Sequence, residues 1–492
     1  MKIYGSYDVV VVGGGASGCC AAIAAAREGA NVCIIENGGI VGGMMNVVGP
    51  PGWAFCHLWN DAGEQIVGGI VQEIYDTLRA KDLAMPWPKK ENWRNDAPAF
   101  VDPDWVGLLF FEWMREAGVT FLLHSMAVDV VKDGNTVTGV VVENTSGRMA
   151  VMGKVIIEAT GEGDIAVRAG VPYTKIDRTK EEIDPPSITF HMDGVDWAKV
   201  TAYFKANPDQ FIPDWWDESR HGEFIKKRLK ALEECESILD LVEDGIITQI
   251  DYHKLTMEAI ANGELCETGD FGHFFTYRQF GHWQPVFQHT AQAKDCDTTD
   301  ITEYSWGEVE CRRQVAMAIP AIQKYLPGFE NAYFTRLTSS MRTREGRHMI
   351  GDYQMQTSDV DAASKFPDVM AKCAMTTVPG GPFHSAATPG VAMNVEMASR
   401  WHNPPDGGSY DIPYRCFVPK NVEGMLLTGK LISLHEDFKR DQLPDNMIWG
   451  QAAGVAAAVC VRRGITPREL EADVSEVQEI LRKNGAILDG TR

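Results

Sequence analysis

Hydrophobic residues occur in short blocks whose spacing changes along the chain. Val9-Val10-Val11-Val12 is a continuous β-branched run, the pattern of a strand buried on both faces. Glycines follow, then an alanine-rich stretch from about Cys19 to Glu28 that predicts a helix ended by Gly29. Asn31 to Ile35 predicts a second strand, closed by Glu36. A strand, turn, helix and strand within about thirty residues make a β-α-β unit, so the core sheet is expected to be parallel and doubly wound.

The period then changes. Thr120–Leu123, Ala127–Val131, Thr136–Glu143 and Lys154–Glu158 are apolar runs separated by turn signals such as Asp133-Gly134-Asn135 and Ser146-Gly147. They predict an antiparallel meander beside the parallel sheet. From about 171 to 410 the chain carries Pro185-Pro186, Trp215-Trp216 and helical periodicity from Phe224 to Leu241, the features of a separate α+β substrate or cap domain. Gly424 to Thr428 reads as strand and Asn446 to Arg463 as helix. The expected fold is therefore α/β: a Rossmann-like domain in two parts, 1–175 and 410–492, with 176–409 inserted between them.

Composition narrows the classes of function. The 492 residues are 45% hydrophobic and 23% charged, as in an ordinary globular protein. A net charge of -22 repels phosphate backbones and anionic membranes, so neither nucleic acid nor lipid is expected as partner. The apolar stretch Val9 to Ala26 is broken by Gly13, Gly14, Gly15 and Gly18, which argues against a membrane span, and no secretory signal is visible. Eleven cysteines without a Cys-x-x-Cys pair point to reduced thiols in a cytoplasm. The histidines show no zinc-binding spacing, so no metal is expected.

Gly13-x-Gly15-x-x-Gly18 carries the first specific chemistry. It follows a strand and opens a helix, so Gly13 permits a tight turn, Gly15 lets backbone approach a pyrophosphate, and Gly18 lets helix and strand pack closely. Glu36 ends the second strand at the spacing of a ribose-binding carboxylate. Gly38-Gly39 and Gly42-Gly43, the turn Ala159-Thr160-Gly161-Glu162-Gly163-Asp164, and Met425 to Gly429 followed by a helix rich in alanine and glycine tilt the cofactor from NAD to FAD. No second Gly-x-Gly-x-x-Gly follows a strand.

With these motifs, and with Leu326 to Glu330, Arg344 to Tyr353 and Asp411 to Arg415, the sequence resembles FAD-dependent oxidoreductases of the two-dinucleotide-binding-motif type, distant relatives of fumarate reductase flavoproteins and ketosteroid dehydrogenases. The resemblance implies that FAD is lined by Gly13, Gly15, Ala16, Ser17, Gly18, Glu36, Asn37, Gly42, Gly43, Met44, Ala159, Thr160, Gly161, Asp164, Gly429, Pro444 and Met447, with the backbone of Val128 near adenine. It also implies that the stretch from Ser433 to Pro444 passes the flavin ring and that a helix start points at the ring's carbonyl edge.

Candidates for moving a proton or gripping a carboxylate are His435, Arg347, His348, Tyr353 and Arg440. Relatives show Arg-Glu-Ser-Arg-Arg where this chain has Arg344-Glu345-Gly346-Arg347-His348, and Arg where it has Asp441-Gln442. The aromatic stretch Phe271 to Trp283 could stack a flat substrate or form core, and Cys56-His57 follows the second glycine pair near where some relatives attach FAD covalently.

The expected function is hydride transfer between bound FAD and a small organic substrate, either dehydrogenation of a C–OH or CH–CH bond or reduction of an activated C=C. An electron-transfer flavoprotein subunit and an FAD monooxygenase are the alternatives. A protein or quinone electron acceptor and a homo-oligomeric assembly are both compatible with the sequence.

Overall fold

The computed structural model describes residues 1–47, 55–93, 97, 99–179, 183, 185–212, 218–247, 249–250, 252–275, 282–375, 402–438 and 442–491. Trp215-Trp216, residues 276–281 of the aromatic stretch and Arg440 lie outside the described residues.

The first sheet has seven strands among the described residues. β1 (Lys2–Val12) runs parallel to β2 (Val32–Ile35), and β2 runs parallel to β3 (Thr120–Leu122). On its other side β1 is parallel to β6 (Gly147–Glu158), which closes the meander β4 (Met126–Asp133), β5 (Thr136–Asn144), β6. β5 pairs with the first half of β6, and β16 (Met425–Leu427) then takes the second half in parallel at Ile156 to Glu158.

Two strands expected in the meander thus extend the parallel sheet: β3 lies beside β2, and the end of β6 lies beside β1. Apolar runs carry no direction. The crossover supplies it, because a helix between β2 and β3 returns the chain to the same end of the sheet.

Helix α1 (Ala16–Arg27) follows β1. After β2 come α2 (Met44–Val47), α3 (Ile70–Ala80) and α4 (Pro103–Glu116). The Asp102 carboxylate caps α4 by accepting from the N–H groups of Asp104 and Trp105, with Pro103 in the first turn. Strand alternation divides the buried residues into two layers. Val9, Val11, Ile34 and Ile157 pack against α1, α3 and α4, while Val10, Val12, Ile35 and Ile156 pack beneath the curled meander and α5 (Asp164–Ala169).

The second sheet is antiparallel, in the order β12 (Tyr333–Leu337), β8 (Ser187–Asp193), β11 (Pro285–Gln292), β10 (His273–Phe275), β9 (Gln249–Ile250). The short pair β7 (Tyr173–Thr174) and β13 (His348–Met349) lies outside it. Helices α6 (Trp197–Ala206), α7 (Glu218–Glu234), α8 (Ile238–Glu243), α9 (His253–Ala261) and α10 (Ile301–Tyr325) accompany this sheet. Its core includes Phe190 and Phe287, stacked with centroids 5.0 Å apart. The periodicity from Phe224 to Leu241 is broken by Ser237. Its hydroxyl accepts from the N–H of Leu239 while its own N–H donates to Asp240, which starts a new helix.

The chain then passes through α11 (Thr357–Asp361) and the pair β14 (Val369–Cys373) with β15 (Tyr410–Pro413) to α12 (Leu443–Arg463) and α13 (Ser475–Lys483). Residues Met355, Val360 and Val369 to Cys373 pack into the core beneath α1 and α12, not into the core of the second sheet. No helix among the described residues is long and apolar enough to cross a membrane.

Contacts of α1 with α12 set the position of the site. A Cβ on Gly450 would lie 2.2 Å from the Ser17 carbonyl oxygen, and one on Gly454 would lie 2.2 Å from that of Ala21. The helices therefore run parallel. Because α12 begins seven residues before Gly450 and α1 one before Ser17, the start of α12 projects roughly 9 Å behind that of α1, against their common direction.

Candidate cofactor and substrate site

The C-terminal ends of β1, β6 and β16 come together with three glycine turns. Gly13 has φ 106°, donates its N–H to the Ile35 carbonyl at 2.8 Å, and leaves no room for a side chain, since a Cβ would lie 2.4 Å from the Ala159 oxygen. Gly18 is excluded from bearing a side chain by the Gly13 oxygen, 1.9 Å from its Cβ position. Gly15 is the opposite case: nothing lies within 4 Å of its Cβ position. It precedes α1, whose N-terminus has no side-chain cap, so the first N–H groups at Ala16, Ser17 and Gly18 face open space with the positive end of the helix dipole.

The Glu36 carboxylate braces this turn. One oxygen accepts from the N–H of Gly14 and the other from that of Gly38, both at 2.7 Å. A carboxylate has about four acceptor sites, so two remain for a ribose. Asn37 follows on the exposed surface. Gly42 donates to the Gly14 carbonyl at 2.7 Å, and a Cβ on Gly43 would lie 2.8 Å from the Gly15 Cα. The second glycine pair therefore packs against the first turn and delivers Met44 at the start of α2 beside it. Val128 is the extra residue of a β-bulge between Ala127↔Val142 and Asp129↔Val141, so its peptide stands outside the regular ladder.

The second turn is built on Glu158, which is fully buried. Its carboxylate accepts from the N–H groups of Thr160, Ile165 and Ala166 at 2.8–2.9 Å, and burial pushes its pKa up against those bonds. The Thr160 hydroxyl accepts from Gly163 and Asp164, which fixes Gly161 at φ 86° between them. Ala159 donates its N–H to the Val12 carbonyl, joining this turn to the first. The third turn meets the first directly: Ser17 Oγ and Thr428 Oγ1 are 2.8 Å apart, and Gly429 has φ 64° with its Cβ position 3.1 Å from that of Ser17. Pro444 and Met447 lie buried in the first turns of α12, whose N-terminus also has no side-chain cap.

The proton-moving candidates do not converge. Arg347 Nη1 donates to the Glu162 carbonyl at 2.8 Å and to Asp164 Oδ1 at 3.1 Å, so this guanidinium clasps the second glycine turn. His348 is fully buried in β13, with Nε2 3.4 Å from Glu345. The Tyr353 hydroxyl donates to Asp359, and burial followed by that carboxylate pushes its pKa up to about 12. His435 is half-buried, with Nδ1 3.0 Å from Asp437 Oδ2. Cys56 is buried and its Sγ donates to Gln442 Oε1 at 3.4 Å.

Several residues were not anticipated. Glu158, Thr428, Asp445 and the pair Lys430–Glu162 organise or adjoin the turns. Lys430 Nζ lies 2.7 Å from Glu162 Oε1, and its Cε is 3.7 Å from the Cβ position of Gly161. A Cβ on Gly346 would lie 2.3 Å from Glu162 Oε2, which gives the departure from serine at this position a physical reason. Asp445, in the first turn of α12, is fully buried with neither oxygen hydrogen-bonded among the described residues, and burial holds its pKa well above the usual range. An ionisable residue closing an apolar strand or opening a buried helix is the sequence signal that marks Glu158 and Asp445.

A parallel sheet with glycine turns at its strand ends, open space at Gly15 and two uncapped, parallel helix starts defines a dinucleotide-binding α/β protein. Residues 8–481 match the family model described as FAD dependent oxidoreductase, and the chain belongs to that family. FAD is accordingly its cofactor. No curated protein matches the chain.

Solved structures with a similar chain path include a geranylgeranyl bacteriochlorophyll reductase-like protein from Thermoplasma acidophilum (12% identity, 98% of this chain and 84% of that chain, TM-score 0.43). A flavin-dependent brominase is similar at 14% identity over 96% and 84% of the two chains, TM-score 0.42. A p-nitrophenol 4-monooxygenase from Pseudomonas putida is similar at 11% identity over 98% and 88%, TM-score 0.41.

Proposed function

We propose that the chain transfers a hydride between FAD and a small organic substrate held between its two sheets. The observation that carries this reading is the open space at Gly15, framed by three glycine turns, beside a second sheet with its own core that reaches α2 through the bond from Arg336 to the Asn46 carbonyl. When bound, FAD supplies two-electron chemistry at its ring. In this reading the N–H groups of Ala16, Ser17 and Gly18 donate to the pyrophosphate, and Glu36 accepts from a ribose hydroxyl. Gly43, Thr160, Gly161 and Gly429 let backbone approach the cofactor, and the Val128 peptide meets the adenine.

The start of α12, at Pro444 and Met447, offers the positive end of a helix dipole about two turns beyond the start of α1. That is a place for negative charge on a reduced ring. Arg347, engaged by Glu162 and Asp164, holds the second turn in shape. His435, oriented by Asp437, is the group on the 433–444 stretch suited to proton transfer.

The test is an absorption spectrum of purified protein followed by anaerobic titration with small acids, ketones, sugars and phenols. Bleaching of the visible flavin band by one compound supports a dehydrogenase. Reoxidation of the dithionite-reduced protein by an enoate or enone supports a reductase. Rapid consumption of NAD(P)H with oxygen would transfer the protein to the monooxygenases, and a colourless chain that cannot be reconstituted with FAD would overturn the reading.

A further inference from the structure

β8 alternates polar and apolar residues: Ser187, Thr189 and His191 on one face, Ile188, Phe190 and Met192 on the other. The apolar set is core. Arg336 stands directly opposite His191 in β12 and so shares the polar face; its Nη2 donates to the Asn46 carbonyl at 3.3 Å, and its guanidinium pairs with Asp104. The polar face is thereby turned toward α2, which follows the second glycine pair. At the other end of the row, Ser187 pairs through its backbone with Arg342. The adjoining Thr343 hydroxyl lies 3.4 Å from Lys430 Nζ, which leads to Gly161. Gln292 stands opposite Ser187, and the period of two puts Thr290 on the same face.

Three hydroxyls of this face have no hydrogen-bond partner among the described residues: Ser187 Oγ, Thr189 Oγ1 and Thr290 Oγ1, all in residues with 0% exposure. Buried polar groups in native proteins are almost always paired, and three orphans gathered on the one sheet face that looks at the cofactor turns require an explanation. An apolar occupant would leave all three unsatisfied.

We infer that this row is the substrate-recognition surface, and that the substrate is a small oxygen-rich molecule of the hydroxy-acid or polyol class whose oxygens complete these bonds. The inference rests on the hydride-transfer reading above. His191 sits at the end of the row with Nδ1 3.2 Å from Gln284 Oε1. An amide oxygen only accepts, so Nδ1 donates this bond, and in the neutral ring Nε2 is then the acceptor, suited to a substrate hydroxyl.

The test compares FAD-loaded wild type with Thr189→Val and Ser187→Ala, using gluconate, lactate, glycerol and sorbitol as probes and cyclohexanone as an oxygen-poor control. The expected result is that at least one oxygen-rich probe perturbs the flavin band of wild type and that each variant weakens it by about tenfold or more. Without probe, Thr189→Val should keep or raise Tm, since its hydroxyl makes no bond to lose. A fall in Tm for Thr189→Val with probe affinity unchanged overturns the inference. So does a response to cyclohexanone alone, or none to any oxygen-rich probe. Loss of FAD from wild type itself would instead strike the hydride-transfer reading, so the two failures are told apart by colour.

Discussion

The carbonyl oxygen of Ser17 occupies the space that a side chain on Gly450 would need, 2.2 Å from its Cβ position. This contact locks the first turn of α1 to the second turn of α12, and backbone on both sides leaves nothing that can swing away. Gly450→Ala is expected to destabilise the protein by about 1–3 kcal/mol, the usual result of overpacking. It should also lower the FAD retained on purification, because Ser17 is displaced. Gly222→Ala, in α7 with nothing within 4 Å, is the control and should gain up to about 1 kcal/mol from helix propensity. Equal Tm and equal flavin content in the two variants would show that the helices can separate without disturbing the turn.

Lys430 and Glu162 are 11% and 17% exposed, so removing one leaves the other buried without its partner. Lys430→Met should cost about 3–5 kcal/mol, whereas the double variant Lys430→Met/Glu162→Gln should recover most of it. Thermal denaturation of all four members of the cycle measures the coupling. Additive losses would mean that the two groups are solvated separately.

Tyr353 was expected to move a proton, and its hydroxyl donates to Asp359 at the start of α11, where Asp359 also accepts from the Gln356 N–H. Tyr353→Phe removes a hydrogen bond to a charged group and should cost about 1.5–3 kcal/mol while leaving the flavin spectrum and turnover of a bleaching substrate unchanged. A hundredfold loss of turnover at unaltered Tm would return Tyr353 to proton transfer.

The first glycine turn was legible because its chemistry is local: Gly13, Gly15, Gly18 and Glu36 lie on one β-α-β unit whose spacing fixes their meeting. The same holds for the parallel sheet around β1 and β2. The direction of β3 was not legible, since an apolar run looks alike in either orientation and the deciding crossover lies upstream in α4. Gly42-Gly43 was read as room for the dinucleotide; that Gly43 also makes room for Gly15 is a contact visible only once the loop folds back. The positions of His348 and Arg347 depend on a neighbouring strand or on partners far along the chain, which spacing alone cannot supply. The row on β8 was legible in principle, for Ser-x-Thr-x-His is a strict alternation, but only burial distinguishes an orphaned polar face from a solvated one.

Asp445 gives the structure a dependence on pH whose sign can be worked out. Its ordinary pKa is 3.8, and burial raises it well above that in the folded protein. Between the two values the folded chain keeps a proton that the unfolded chain has lost, so stability falls as pH rises through that window. Asp445→Asn carries no such proton, so its Tm relative to wild type should rise as pH increases above the ordinary carboxylate range and level off above the raised folded pKa. Glu158, raised in the same direction, is present in both proteins and cancels from the difference. A wild type that instead gained on Asp445→Asn as pH rose would show that the carboxylate is ionised in the folded state and held by a cationic partner.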